Sequence, residues 1–138
     1  MRDIIPDLKR WLASGKTDIA VATIVETKGS SLRPAGTRMA ITSEGDVAGS
    51  VSSGCVDGDV IAEMEMVLGS GVRIRRPFYG ISDEEAWGVG LSCGGAIDVL
   101  VERWTEAYDA LLEEVDGGRP VAFASRTDRP EHLLHKSD

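Results

Sequence analysis

The sequence predicts a single α/β domain built on a mixed β-sheet flanked by helices, and three observations predict it. Branched apolar runs at residues 19–26 and 96–102 read as strands buried in a sheet. Apolar stripes at helical spacing begin near Asp3, Val56 and Thr105. Strands and helices interleave without the strict alternation of a doubly wound fold. A chain of 138 residues suits one domain with its own core, expected over residues 1–125. A polar tail follows over residues 126–138, expected to fray or to await another segment.

Each element has its own justification. Residues 3–13 put Ile4, Leu8, Trp11 and Leu12 on one helical face, with Gly15 beyond as a C-terminal cap. Residues 19–26 form a nearly unbroken β-branched run, taken as the central strand, which empties into the glycine- and proline-bearing loop 28–36. Residues 37–42 and 46–51 are short strands joined by Ser43-Glu44-Gly45, a tight hairpin. From Val56 the stripe Val56, Val60, Met64, Val67 and Leu68 reads as a helix that ends at Gly69-Ser70-Gly71. Residues 72–79 alternate apolar and basic until Pro77, the pattern of a half-exposed strand near an edge. A short helical turn is expected at residues 82–87, then a strand at 96–102. A helix over 105–115 turns Tyr108, Leu111, Leu112 and Val115 inward, and a last short strand occupies 120–124.

Composition narrows the function classes. Hydrophobic residues make up 42% and charged residues 28%, an ordinary globular balance, and no apolar run approaches the roughly 20 residues that span a bilayer. The first residues carry acids where a secretion signal would carry bases, so the cytoplasm is the expected location. A net charge of −8 repels nucleic acid and anionic membrane overall. A small anion can still bind through local amides and arginines.

The two cysteines sit in glycine- and serine-rich turns, where bare backbone lets a ligand approach closely. Cys55, after Ser53-Gly54, falls at the expected start of a helix, where free amides and the helix dipole favour a thiolate. Cys93 precedes Gly94-Gly95, whose successive amides can form an anion-binding concavity. The two turns are expected to share one edge of the sheet, with the thiols close together. The alternative reading makes both cysteines small apolar fillers of tight turns.

Two thiols alone make a poor zinc site, and the only histidines, His132 and His135, lie in the tail and read as solvated. No serine has a histidine near it for triad chemistry, and Gly88-Val89-Gly90 precedes a strand, so it is no dinucleotide fingerprint. Arg33 and Arg38 flank the proline-glycine loop and could hold a phosphate or the edge of a pterin, or stand as solvated cations. Asp57 and Asp59 read as helix-start charges, with acid–base work as a second reading. Trp87 could stack on a flat ligand or fill the core.

Residues 26–39, 49–57 and 90–95, in that order, resemble three motifs of the XdhC/CoxI family of accessory factors, and the resemblance extends over about residues 4–102. It implies a chaperone that binds molybdenum cofactor (molybdopterin) transiently. Such a chaperone assists sulfuration of the cofactor and its insertion into a molybdenum hydroxylase apo-enzyme, such as xanthine or CO dehydrogenase. By the same resemblance, Cys55 is the principal contact beside Ser53 and Gly54, and Cys93 with Gly94 and Gly95 is the second. Arg33 and Arg38 would hold the anionic end. A cysteine desulfurase is a further partner considered, and exposed strand edges together with a second domain that this sequence does not reach leave a homodimer open. Ser53-Gly54-Cys55-Val56-Asp57 departs from the family's usual Gly-Gly-Cys followed by an apolar residue and Glu. Longer members continue into a Rossmann-like domain, which this sequence does not reach. Two rival readings stand beside this one: an interaction scaffold with structural cysteines, and a thiol enzyme using Asp57 or Asp59.

Overall fold

A computed structural model describes residues 2–16, 18–28, 33–52, 56–80, 96–126, 128 and 132–136. After a 3-10 turn at Arg2–Ile4, helix α1 (Ile5–Ala13) carries proline in its first turn, where no intrahelical donor is lost. Ile5, Leu8 and Trp11 are its buried face. Strand β1 (Ile19–Lys28) outruns its expected end by two residues because Thr27 and Lys28 still find partners in β6 (Ala96–Arg103). Strands β2 (Arg38–Thr42) and β3 (Val47–Gly49) form the expected hairpin around Ser43-Glu44-Gly45.

Helix α2 (Asp57–Gly69) buries Val60, Met64 and Val67 as its spacing predicts. The expected strand over 72–79 is divided by Pro77 into β4 (Ile74–Arg75) and β5 (Phe78–Gly80), and both pieces pair with the outer side of β6. Helix α3 (Glu106–Asp116) turns Tyr108, Leu111 and Leu112 inward.

The α/β class and the helix-flanked sheet hold. The main sheet runs β3-β2-β1-β6-β4, with β5 also on β6, and each pairing between its described strands is antiparallel. Its two faces are separate cores. One packs Ala20, Ala22, Ile24, Met39, Ile41, Val99 and Val101 under α2. The other sets Val21 against Tyr108 and Leu111 of α3, while Ile19, Ala40 and Ala48 lie with Leu8 and Trp11 of α1. The period-two alternation of β1 is satisfied on both sides, which is why its first half reads as an unbroken apolar run.

The tail corrects the expectation of fraying. His132–Lys136 forms a strand, β8, antiparallel to β7 (Val121–Ser125), and this hairpin packs on α3 through Phe123 and Leu134. His132 is not solvated: its side chain is 2% exposed, between Phe123 and Tyr108, with Nε2 at 2.8 Å from Glu102 Oε1. Glu102 is fully buried and accepts a 2.5 Å hydrogen bond from the Tyr108 hydroxyl. Burial, then the Glu102 carboxylate, raises the Tyr108 phenol well above its ordinary range, so it stays a donor.

Two methionines two residues apart on α2 test this burial. Met64 is fully buried and Met66 is 44% exposed. Met64→Ala is expected to lower the unfolding free energy by about 2–5 kcal/mol. Met66→Ala is expected to stay within about 0.5 kcal/mol of the parent in the same urea titration.

Candidate functional site

The strand registers bring the described residues that flank the glycine-rich segments to one end of the sheet. Lys28, at the end of β1, lies opposite Ala96, at the start of β6, and Ala96 is also opposite Gly80, at the end of β5. On the other side of β1, Arg38 begins β2 beside Thr23, and Gly49 ends β3 beside Met39. The described residues that enter and leave segments 29–37, 50–56 and 81–95 therefore point the same way along the sheet. The start of α2 lies at this end as well, while its last turn approaches Gly45 at the other.

Tyr79 ties the two sides of this end together. Its phenol is pushed up to about 12 by burial and then by the Glu63 and Asp59 carboxylates of α2, so β5 rests on the first half of that helix. Val51 and Val56, which bracket the first glycine turn, share one buried cluster with Tyr79 and Ile97 beside the second.

Asp57 organises the entry to α2. Its carboxylate accepts hydrogen bonds from the Ser50 hydroxyl, the Ser52 hydroxyl (2.7 Å) and the amides of Val51 (3.2 Å) and Ser52 (3.1 Å). Ser52 Oγ in turn accepts from the Val56 amide at 2.9 Å, closing the turn onto the helix start. Burial alone would raise this carboxyl, but the donors outweigh it and hold Asp57 below the usual aspartate range. A group so engaged serves as a clasp on residues 50–52; its acceptor capacity is already taken up, which disfavours the reading of Asp57 as a general base. Gly49 completes the approach: at φ +78° it is in the left-handed region, and a Cβ there would fall 2.8 Å from both Arg38 O and Ile4 Cγ2.

Of the expected site residues, Arg33 and Arg38 are described, whereas Ser53, Gly54, Cys55, Cys93, Gly94 and Gly95 lie outside the described residues, as does Trp87. The expected closeness of the two thiols lies outside them too. Arg33 and Arg38 are alike in one respect: each has a buried Nε with no hydrogen-bond partner among the described residues. Arg38 faces α3, with its guanidinium carbon 5.9 Å from the Tyr108 ring centre and 5.7 Å from that of Phe123. A guanidinium held over two rings, with its Nε unpartnered among the described residues, is suited to an anion.

The sequence reading missed Phe78, which is 62% exposed at the same end of the sheet. It borders a cleft of about 60 Å³ with Glu26, Thr27, Lys28, Ala96 and Asp98, and the buried Thr27 hydroxyl has no hydrogen-bond partner. The strand pattern of residues 72–79 gave no signal that Phe78 faces solvent; in the sheet Tyr79 lies opposite the buried Ile97, and Phe78 lies opposite Asp98. Among the described residues no group of three or more His, Cys, Asp or Glu side chains is arranged to hold a metal ion.

Comparison with known proteins gives a consistent set of similarities. A model of the XdhC and CoxI family matches residues 11–77. The chain is 34% identical over 115 residues to the molybdenum cofactor insertion chaperone PaoD of Escherichia coli K12, covering 81% of this chain and 35% of that one. It is 29% identical over 129 residues to a probable xanthine dehydrogenase subunit from Bacillus subtilis 168, covering 89% and 39%. A crystal structure described as a xanthine dehydrogenase from Bacillus halodurans superposes with a TM-score of 0.72 at 26% identity, covering 96% of this chain and 42% of that one. The chain thus spans less than half the length of each of these relatives.

The Asp57 clasp carries a pH signature. A carboxyl depressed in the folded state stabilises fully above its unfolded pKa, and that stabilisation is lost as pH falls through the folded value. Asp57→Asn is expected to cost about 1–2 kcal/mol near neutrality, the scale of charge-assisted hydrogen bonds. In urea titrations the gap from the parent should be constant above about pH 5 and close as pH drops below about 4. A gap of constant size down to the lowest pH would show that the carboxylate charge is not what holds the turn.

Proposed function

Since residues 11–77 place this chain in the XdhC and CoxI family, we propose that it is an accessory factor for molybdenum hydroxylases that holds molybdenum cofactor and hands it to the apo-enzyme. The names of the relatives, an insertion chaperone and a xanthine dehydrogenase subunit, support that role. The single structural observation that carries the proposal is the pair of buried Nε atoms, unpartnered among the described residues, on Arg33 within the first glycine-rich segment and on Arg38 where that segment enters β2. Buried donors without acceptors are costly, and an anionic ligand would relieve both.

The cofactor is a flat pterin with a phosphate and a dithiolene, so it presents an anionic end, a stacking face and sulfur chemistry. In this proposal Arg33 and Arg38 hold the phosphate, and Phe78 offers a face for the pterin. Cys55 is the principal sulfur contact, flanked by Ser53 and Gly54, and Cys93 with Gly94 and Gly95 forms the second. Asp57 keeps the backbone of residues 50–52 in place and so fixes the approach to Cys55. The work is holding and release, with no bond in the cofactor made or broken by the chain. Receiving the cofactor in sulfurated form, with a cysteine desulfurase as the sulfur source, belongs to the same proposal.

Binding is tested by mixing purified protein with molybdenum cofactor and measuring pterin and molybdenum retained after gel filtration. The parent chain is expected to retain both, Cys55→Ser to lose most of the molybdenum, and Arg33→Gln with Arg38→Gln to lose pterin and molybdenum together. Equal retention by the parent and Cys55→Ser would remove Cys55 from its role. Undiminished binding to a hydroxylase apo-enzyme with no cofactor retained by any form would favour the scaffold reading.

A further inference from the structure

At the end of the sheet remote from the glycine-rich segments, the edge strand β3 and the last turns of α2 leave a groove of about 500 Å³ between them. Its floor is apolar, with Ile41 and Val47 from the hairpin and Ile61 and Leu68 from the helix, and its rim carries Glu44 and Glu65. Val47 is 48% exposed, although it lies directly opposite the buried Ile41. The floor is therefore an extension of the α2 core that runs out to an uncovered edge.

Among the described residues no strand pairs with the outer side of that edge. The Thr42 amide donates to Asp46 O at 3.0 Å to close the hairpin, so the alternation of an antiparallel ladder makes Ile41 and Val47 a non-hydrogen-bonded pair. The N–H and C=O of Val47, and by the same alternation those of Gly49, point away from β2. An extended segment laid along β3 would take up these groups, and every second side chain of it would fall over Val47, Ile61 and Leu68.

Charge selects the occupant. Lys16 is shared by Glu44 at 3.2 Å and Asp46 at 2.7 Å, and Glu65 has no ion-pair partner among the described residues. A second copy of this chain, itself at −8, would bring the same acidic rim against this one. We infer that β3 and this groove form a docking edge for an extended, alternately apolar segment of a partner protein that carries lysine or arginine at its ends. The groove lies at the Val47 end of β3, away from Gly49 and the proposed cofactor end, so the chain can hold its ligand and a protein partner at opposite ends of one sheet.

The test uses a short synthetic peptide alternating valine and threonine between terminal lysines, and its glutamate-ended counterpart, each at millimolar concentration with the full chain. Amide hydrogen exchange at Val47 is expected to slow with the lysine-ended peptide only, and the effect should fade as salt is raised. Glu65→Lys, a surface change, is expected to weaken that peptide about tenfold, the scale of reversing a rim charge, and Val47→Asp to abolish the protection. No protection by the lysine-ended peptide, or equal protection by both peptides, overturns the inference. Protection that rises with protein concentration alone, with sedimentation as a dimer, assigns the edge to a second copy and overturns it as well.

Discussion

The antiparallel pairing of β1 with β6, from Ala20 opposite Arg103 to Lys28 opposite Ala96, is the constraint on which the rest of the molecule depends. It separates the two cores, because alternate residues of each strand go to α2 or to α3. A slip of one residue in β6 would turn Glu102 into the apolar α2 face and expel Val99 and Val101 from it, so the register is strongly specified. The same register fixes that the chain entering β6 and the chain leaving β1 do so side by side. Two of the three glycine-rich segments are thereby anchored at one end of the sheet before any side chain in them contributes.

Buried polar groups then fix the details. On the α3 face, Glu102 accepts from Tyr108 and meets His132, and Arg38 lies over Tyr108 and Phe123, so β7 and β8 are held by chemistry as well as by apolar contact. A carboxylate that is fully buried must be matched by donors; α3 supplies the Tyr108 hydroxyl, and the hairpin brings His132 Nε2 to 2.8 Å. On the α2 face the corresponding device is Asp57, whose donors all come from Ser50, Val51 and Ser52. This polar clasp works beside apolar burial, since Val51 and Val56 on either side of the turn are fully buried in the α2 core.

Periodicity made the elements legible. The stripe from Val56, the branched run from Ile19 and the hairpin around Glu44 are where their spacing puts them, because each is governed by contacts within a few residues or by one apolar face. The tail was misread because its polarity is real but incomplete: Leu134 and His132 find cover on α3, β6 and β7, elements that only the folded chain brings to them. The site was half legible. Arg33 and Arg38 could be named from a loop composition, but their unpartnered Nε atoms are a property of packing. Asp57 looked like an ordinary helix-start charge, because bonds reaching back to Ser50 and Ser52 follow no short capping rule. The open edge at β3 left no mark in the sequence, since an edge is defined by the strand that is missing beside it.

The central claim is that the glycine-rich segments bearing the two thiols converge on one site at the Lys28–Ala96 end of the sheet. The chain has only two cysteines, so spin labels can be attached to Cys55 and Cys93 without any substitution, and the dipolar broadening between them measured in frozen solution. Strong broadening, with a separation under about 15 Å, is predicted, because a pocket of a few hundred cubic ångströms has that span. Labels that broaden no more than singly labelled protein would contradict the shared site and leave Cys93 as a structural turn residue.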